Sequence, residues 1–157
     1  MKKMKTHSKI KSKIKTHSKI KTRRVKSSFA NIQQKIVIMF LQMLNTVKLY
    51  HWKTTSYAEH KATDELYTNL NTGVDSFVEI MLGKTGSRVN LTGQKSLPLL
   101  DYTNVTDFKK EIEKYKTFLI NLNKEEGLNI TNNSDLLNIR DEILGNLNQF
   151  TYLLTFE

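Results

Sequence analysis

Apolar residues recur at three- and four-residue steps in four separate stretches of this chain, and no stretch of comparable length alternates apolar with polar. Such a period lines one stripe of a helix, whereas a half-buried strand needs a period of two, so an all-α fold is expected. The first stripe is Phe29, Ile32, Ile36, Phe40, Met43, Val47 and Tyr50. It predicts a helix of about 24 residues ending near Trp52 and Lys53. A second helix opens at Ser56-x-x-Glu59, a capping box in which each side chain bonds the other's free backbone N–H; it runs to about Leu82 and is ended by Gly83. Residues 84–103 contain Gly86, Gly93 and the single proline, Pro98, and read as a long connection with room for a short helical turn. The third stripe is Val105, Phe108, Ile112, Tyr115, Leu119 and Leu122, stopping before Gly127. The fourth, capped by Asn133 or Ser134, is Leu136, Ile143, Leu147, Phe150 and Leu154. Four amphipathic helices with one long link between the second and third predict a four-helix bundle with a crossover.

With 157 residues, 38% of them hydrophobic, the chain is large enough for one domain with a real core. Its charge is unevenly placed. Residues 1–28 hold twelve of the 25 Lys and Arg and none of the 15 Asp and Glu, so a basic arm precedes a near-neutral body at 29–157. The heptapeptide KTHSKIK stands at 5–11 and again at 15–21. Like charges this dense, with only isolated apolar residues, bury too little surface to offset chain entropy, which predicts a disordered arm. Its cations are Lys2, Lys3, Lys5, Lys9, Lys11, Lys13, Lys15, Lys19, Lys21, Arg23, Arg24 and Lys26. The expected partner is a polyanion: sequence-independent, salt-dependent contact with nucleic-acid phosphates, with solubility or targeting as the lesser alternatives. No aromatic residue lies in 1–28, so base stacking is not expected. His7 and His17, two imidazoles among twelve cations, read as spacers.

Several classes of function are disfavoured. With no cysteine, the chain has neither disulfides nor thiolate-bound zinc or iron–sulfur clusters. Its strongest apolar run, Ile36 to Leu41, is far too short to span a membrane. The N-terminus lacks the apolar segment of a signal peptide, so an intracellular protein of the cytoplasm, nucleus or a virion is expected, and the sequons at Asn90, Asn104, Asn129 and Asn132 read as chance matches. An organelle presequence fits the basic, Ser-containing leader less well, since Lys outnumbers Arg and no amphipathic face is evident. Gly83-Lys84-Thr85 imitates a phosphate-binding loop, but Val78 occupies the position of the required upstream glycine. A di-iron centre inside one bundle needs Glu-x-x-His on two helices, and the third and fourth helices contain no histidine.

The chemistry-bearing set is His60, Asp64, Asp75 and Glu79 on the second helix, with His51 and Trp52 ending the first. Helical geometry puts those four side chains within an arc of about 100°, while Asp64 and Asp75 are separated by about 16 Å along the axis. Metal ligands converge to within about 2–2.6 Å of an ion, so one ion cannot join both pairs on one chain. A two-fold axis near Asn69 and Leu70 would set an antiparallel copy of the helix alongside, bringing His60 and Asp64 of one subunit against Asp75 and Glu79 of the other. A two-fold homo-oligomer with two identical shared sites is therefore expected. Taken singly, each pair is more often a solvated helix face; the combination carries the reading. Histidine and carboxylates without thiols suit non-haem iron, zinc or manganese.

The string HWKTTSYAEHKATDELYTNLNTGVDSFVEIMLG, residues 51–83, resembles the signature of the Dps mini-ferritins, DNA-binding proteins from starved cells: His-Trp, a turn, His-x-x-x-Asp-x-x-Tyr, then Asp-x-x-x-Glu. Within that family it is most similar to a Dps-like group of large DNA viruses. The resemblance implies a ferritin-like bundle and a metal site of His51, His60 and Asp64 completed by Asp75 and Glu79 of a two-fold partner, with Trp52 beside it to intercept radicals. It further implies a hollow dodecamer that oxidises Fe(II), preferably with hydrogen peroxide, and stores ferric mineral. The turn between His51 and His60 is shorter than that family's usual one. Two other expectations stand beside a ferroxidase: a non-enzymatic DNA-packaging or virion structural protein that keeps the bundle, and, more weakly, a helical adaptor whose arm is a localisation signal.

Overall fold

The computed structural model describes residues 31–124 and 133–156, and every regular element among them is helical. Helix α1 covers 31–53. Helix α2 is Tyr57–Thr85, α3 is Val105–Asn121, continued by a 3-10 turn at Leu122–Lys124, and α4 is Ser134–Leu153. The basic arm at 1–28, with all twelve of its cations, lies outside the described residues, as do Phe29 and Gly127. No helix among the described residues is long and apolar enough to cross a membrane.

The four stripes meet in one core. Phe40, Met43 and Val47 of α1, Leu70 of α2, Phe108 and Leu119 of α3, and Ile143 and Leu147 of α4 are wholly buried. Burying each such side chain stabilises the fold by about 1.5–3 kcal/mol relative to leaving it in water. Aromatic rings tie the helices together. Phe40 meets Phe77 edge-on at 5.2 Å, Tyr50 stacks on Phe108 at 3.9 Å, and Phe108 meets Phe150 at 5.9 Å. Between α1 and α3, Thr46 Oγ1 and Tyr115 Oη share a buried hydrogen bond of 2.8 Å. Between α2 and α4, Gly73 lets the backbones approach so closely that a Cβ there would stand 2.8 Å from Ile143 Cγ1, and Lys84 pairs with Asp135 at 2.6 Å. Arg140 of α4 donates to the Leu119 carbonyl at 3.0 Å, adding a second donor to an acceptor at the end of α3 that also takes the Leu122 N–H.

Three local expectations need correction. Helix α2 does not end at Gly83 but continues to Thr85 and is capped by Gly86, whose φ of 61° is left-handed and whose N–H donates to the Leu82 carbonyl. A glycine can sit inside a helix at a cost of about 1 kcal/mol; only the residue that turns the chain into the left-handed region needs to be one. The capping box forms by half: Ser56 Oγ accepts from Glu59 N–H at 3.3 Å, but the Glu59 carboxylate accepts from Tyr50 and Thr54. At α4 the N-cap is Asn133, one of the two residues expected there, with no side-chain capping bond, and Ser134 is already helical. The connection has a single tight turn, at 92–93, and no helical segment. It touches α1 near both ends, through Gln34 to the Asn90 carbonyl at 2.5 Å and Lys53 to Asp101 at 2.5 Å.

Candidate metal centre

His51 occupies the last turn of α1 and His60 the first turn of α2, separated by the three non-helical residues Thr54–Ser56. Short as that turn is, it brings the two imidazoles face to face, with ring centroids 4.0 Å apart and planes 23° from parallel. Glu59 braces it. Its carboxylate accepts the Tyr50 hydroxyl at 2.8 Å and the Thr54 hydroxyl, and Thr54 Oγ1 in turn accepts from Ser56 N–H at 3.2 Å. Burial, followed by the Glu59 charge beside it, pushes the Tyr50 phenol well above its ordinary range, so the bond keeps its proton.

The two histidines brace each other through the backbone. His51 Nδ1 lies 3.1 Å from the His60 carbonyl oxygen, and His60 Nδ1 lies 3.1 Å from the His51 carbonyl oxygen. A carbonyl can only accept, so each Nδ1 must carry the proton. In the neutral rings both lone pairs are then on Nε2, the form in which imidazole binds a metal. Buried Thr63 adds a second contact to His51 Nδ1, at 3.2 Å from its Oγ1. The ring so held places Nε2 at 3.8 Å from Asp64 Oδ1. That separation is too long for a hydrogen bond and is of the size of the gap between two donors on one ion.

His51 is buried, whereas His60 and Asp64 face solvent. Asp75 and Glu79 stand on the same unbroken helix and are also exposed, about 16 Å further along it. The structure thus gathers His51, His60 and Asp64, and keeps Asp75 and Glu79 apart from them within one chain. No three His, Asp or Glu side chains among the described residues converge closely enough to hold a metal ion. Trp52 is 69% exposed, with Lys48 Nζ over its ring at 5.7 Å and over Tyr67 at 4.5 Å. Sequence reasoning missed Thr63 and Glu59 as supports. A signal existed for the first: Thr63 is a polar residue among the buried positions of α2.

An all-α helical protein with a histidine–aspartate cluster at the turn joining its first two helices is the class that this arrangement defines. The chain belongs to a family of unknown function, DUF5856, whose profile matches residues 51–154. That match begins on His51 and takes in every other member of the candidate centre, leaving the basic arm and most of α1 outside. No curated protein and no solved structure matches the chain.

Proposed function

We propose that this chain is a Dps-type mini-ferritin that takes ferrous iron as substrate at centres shared across a two-fold interface, oxidises it, and stores the ferric product. The observation that carries the reading is the pair of stacked imidazoles whose Nδ1 protons are committed to backbone carbonyls, leaving both Nε2 atoms out of those bonds and that of His51 3.8 Å from the Asp64 carboxylate. An antiparallel copy of α2 would supply the partner's Asp75 and Glu79, consistent with the exposure of both residues and with the incomplete ligand set among the described residues. Zinc and manganese are expected to compete for the same donors.

The helix pairings support a ferritin-like topology with a crossover. Along α1 and α3 the contacts run Thr46 to Tyr115 and Tyr50 to Phe108; along α2 and α4 they run Gly73 to Ile143 and Lys84 to Asp135. Both pairs are thereby antiparallel, so α2 and α3 point the same way and their link has the length of the bundle to travel, past Gln34 and Lys53.

In this reading His51, His60 and Asp64 hold ferrous iron while Asp75 and Glu79 of the partner neutralise its charge. Two ferrous ions supply the two electrons that, with two protons, reduce one hydrogen peroxide to two waters; oxygen is the alternative acceptor. Trp52, one residue from His51, is an electron-rich ring placed to intercept radicals. A dodecameric cage would collect the ferric product, and the arms at 1–28 would hold nucleic acid by many weak phosphate contacts.

Ferrous oxidation by the full chain tests the proposal. Asp75→Ala and Glu79→Ala should each lose it while remaining folded; unchanged rates in both variants would defeat it. A gel shift with and without residues 1–28, beside a metal assay, completes the test. DNA retention by a protein that neither binds nor oxidises iron would select the packaging or virion role instead.

A further inference from the structure

We infer that Thr63 is a positioning residue for the centre: its buried hydroxyl holds the His51 ring in the orientation that aims Nε2 at Asp64. The inference rests on the metal-binding reading above and adds to it the residue that pre-sets the site before an ion arrives.

Thr63 is wholly buried, and Oγ1 has three neighbours: the Glu59 carbonyl at 2.7 Å, the His60 carbonyl at 3.0 Å and His51 Nδ1 at 3.2 Å. A hydroxyl has one proton, which goes to a carbonyl since carbonyls cannot donate. Its lone pairs are then left for the His51 Nδ1–H. Those bonds to its own helix also limit rotation of the side chain, so the acceptor offered to His51 is fixed. The His60 carbonyl holds the same N–H from a second direction. Two acceptors converging on one N–H define the ring plane, where one alone would let it swing; the ring's other nitrogen is 3.8 Å from Asp64 Oδ1 and follows any such rotation. Glu59, one turn earlier, ties the Thr63 bond to the brace on the α1–α2 turn.

The decisive comparison is Thr63→Val against Thr63→Ser. Valine keeps the branched shape and removes the acceptor; serine keeps the acceptor and removes a methyl. Cobalt(II) serves as the probe, read by its visible absorption and by titration calorimetry on the full chain. Thr63→Val should bind it about 10–100-fold more weakly than the unsubstituted chain, the range typical when an orienting partner of a ligand is removed. Thr63→Ser should stay within about threefold of it. In the metal-free chain, carbon-13 relaxation of the His51 ring should show a fixed ring in the unsubstituted and serine forms and a swinging one in the valine form, with the His60 carbonyl keeping Nδ1 protonated in all three. Equal cobalt affinity and an equally fixed His51 ring in Thr63→Val would overturn the inference while leaving the metal centre standing. Failure of the unsubstituted chain to take up cobalt(II) would overturn the metal-binding reading and the inference with it. Should Thr63→Val not fold, Thr63→Ala provides the same loss of acceptor, and retention of full cobalt affinity there is equally fatal.

Discussion

Buried polar groups occur in both halves of the bundle, but they are used differently. On α3 and α4, Glu111 accepts from Tyr102 at 2.8 Å and Lys114 at 2.6 Å, and Lys116 donates to Glu113 at 2.6 Å and Thr151 at 2.7 Å. Arg140 joins the Leu119 carbonyl and lies 2.7 Å from Asp141 in an ion pair that its Nε–H does not aim along. There each ionisable side chain has a partner, the Arg140 Nε–H apart, and the bonds from Lys116 and Arg140 join α3 to α4. At the α1–α2 turn the donor nitrogens of His51 and His60 are equally well tied, yet the His51 Nε2 stands 3.8 Å from the Asp64 carboxylate, beyond hydrogen-bonding distance. Burial of a polar side chain therefore does not mark a functional site. The proposed centre rests instead on an orientation fixed from behind, with the His51 Nε2 left out of the structural network.

The strongest attempt to break that contrast is His60→Ala. Because His60 is exposed, its removal should abolish detectable cobalt(II) binding, a loss of at least about 100-fold, while shifting the thermal midpoint by no more than a surface change does. A large drop in stability would mean that the histidines are structural too. Next in size, Arg140→Met should destabilise the fold by about 1.5–3 kcal/mol in urea, since it removes the buried bond from a charged donor to the Leu119 carbonyl. Its cobalt(II) affinity should not change. Gly73→Ala should cost about 1–2 kcal/mol, the crowding against Ile143 exceeding the gain in helix propensity. A double-mutant cycle with Ile143→Ala should show the two sites coupled.

The gentlest probe is alkaline pH. Burial is the main cause that pushes Tyr102 up to about 12 and Tyr50 and Tyr115 higher still, with the nearby Glu111 or Glu59 carboxylates adding to it. Below an unfolded phenol's pKa near 10 both states are protonated and the stabilisation is fully present. Above it the unfolded state releases protons that the folded state keeps, so stability declines as pH rises from 10 through 12. Urea midpoints measured across that window should fall. Absorbance titration should show Tyr50, Tyr102 and Tyr115 ionising only at higher pH than phenols of the urea-unfolded chain. Ionisation of all three at the unfolded chain's pH would contradict their burial beside Glu59 and Glu111.

Much of the fold was legible because its signals are local. The spacing of Ile36, Phe40, Met43 and Val47 states a helical stripe without reference to any other segment, and those residues are in the core. Helix ends were less legible, since several residues compete for each role. Gly83 and Gly86 look alike until the chain must turn, and Glu59 could serve Ser56 until Tyr50 and Thr54 came within reach. In the candidate centre, the i,i+4 spacing of His60 and Asp64 was readable. The meeting of His51 with His60 was not, because it depends on how two helices close over a short turn. Thr63 went unseen since a threonine at a core position looks like any small residue until its hydroxyl's partners are known.

By itself the amino-acid sequence determined an all-helical body, the residues that line its core, and one helix bearing His60, Asp64, Asp75 and Glu79 on a single side; all of these follow from a fixed rise and turn per residue. Only the tertiary structure decided which nitrogen of each histidine carries the proton and where the other points. The acceptors responsible are backbone carbonyls of the facing helix, and a carbonyl's direction in space is written in no side chain.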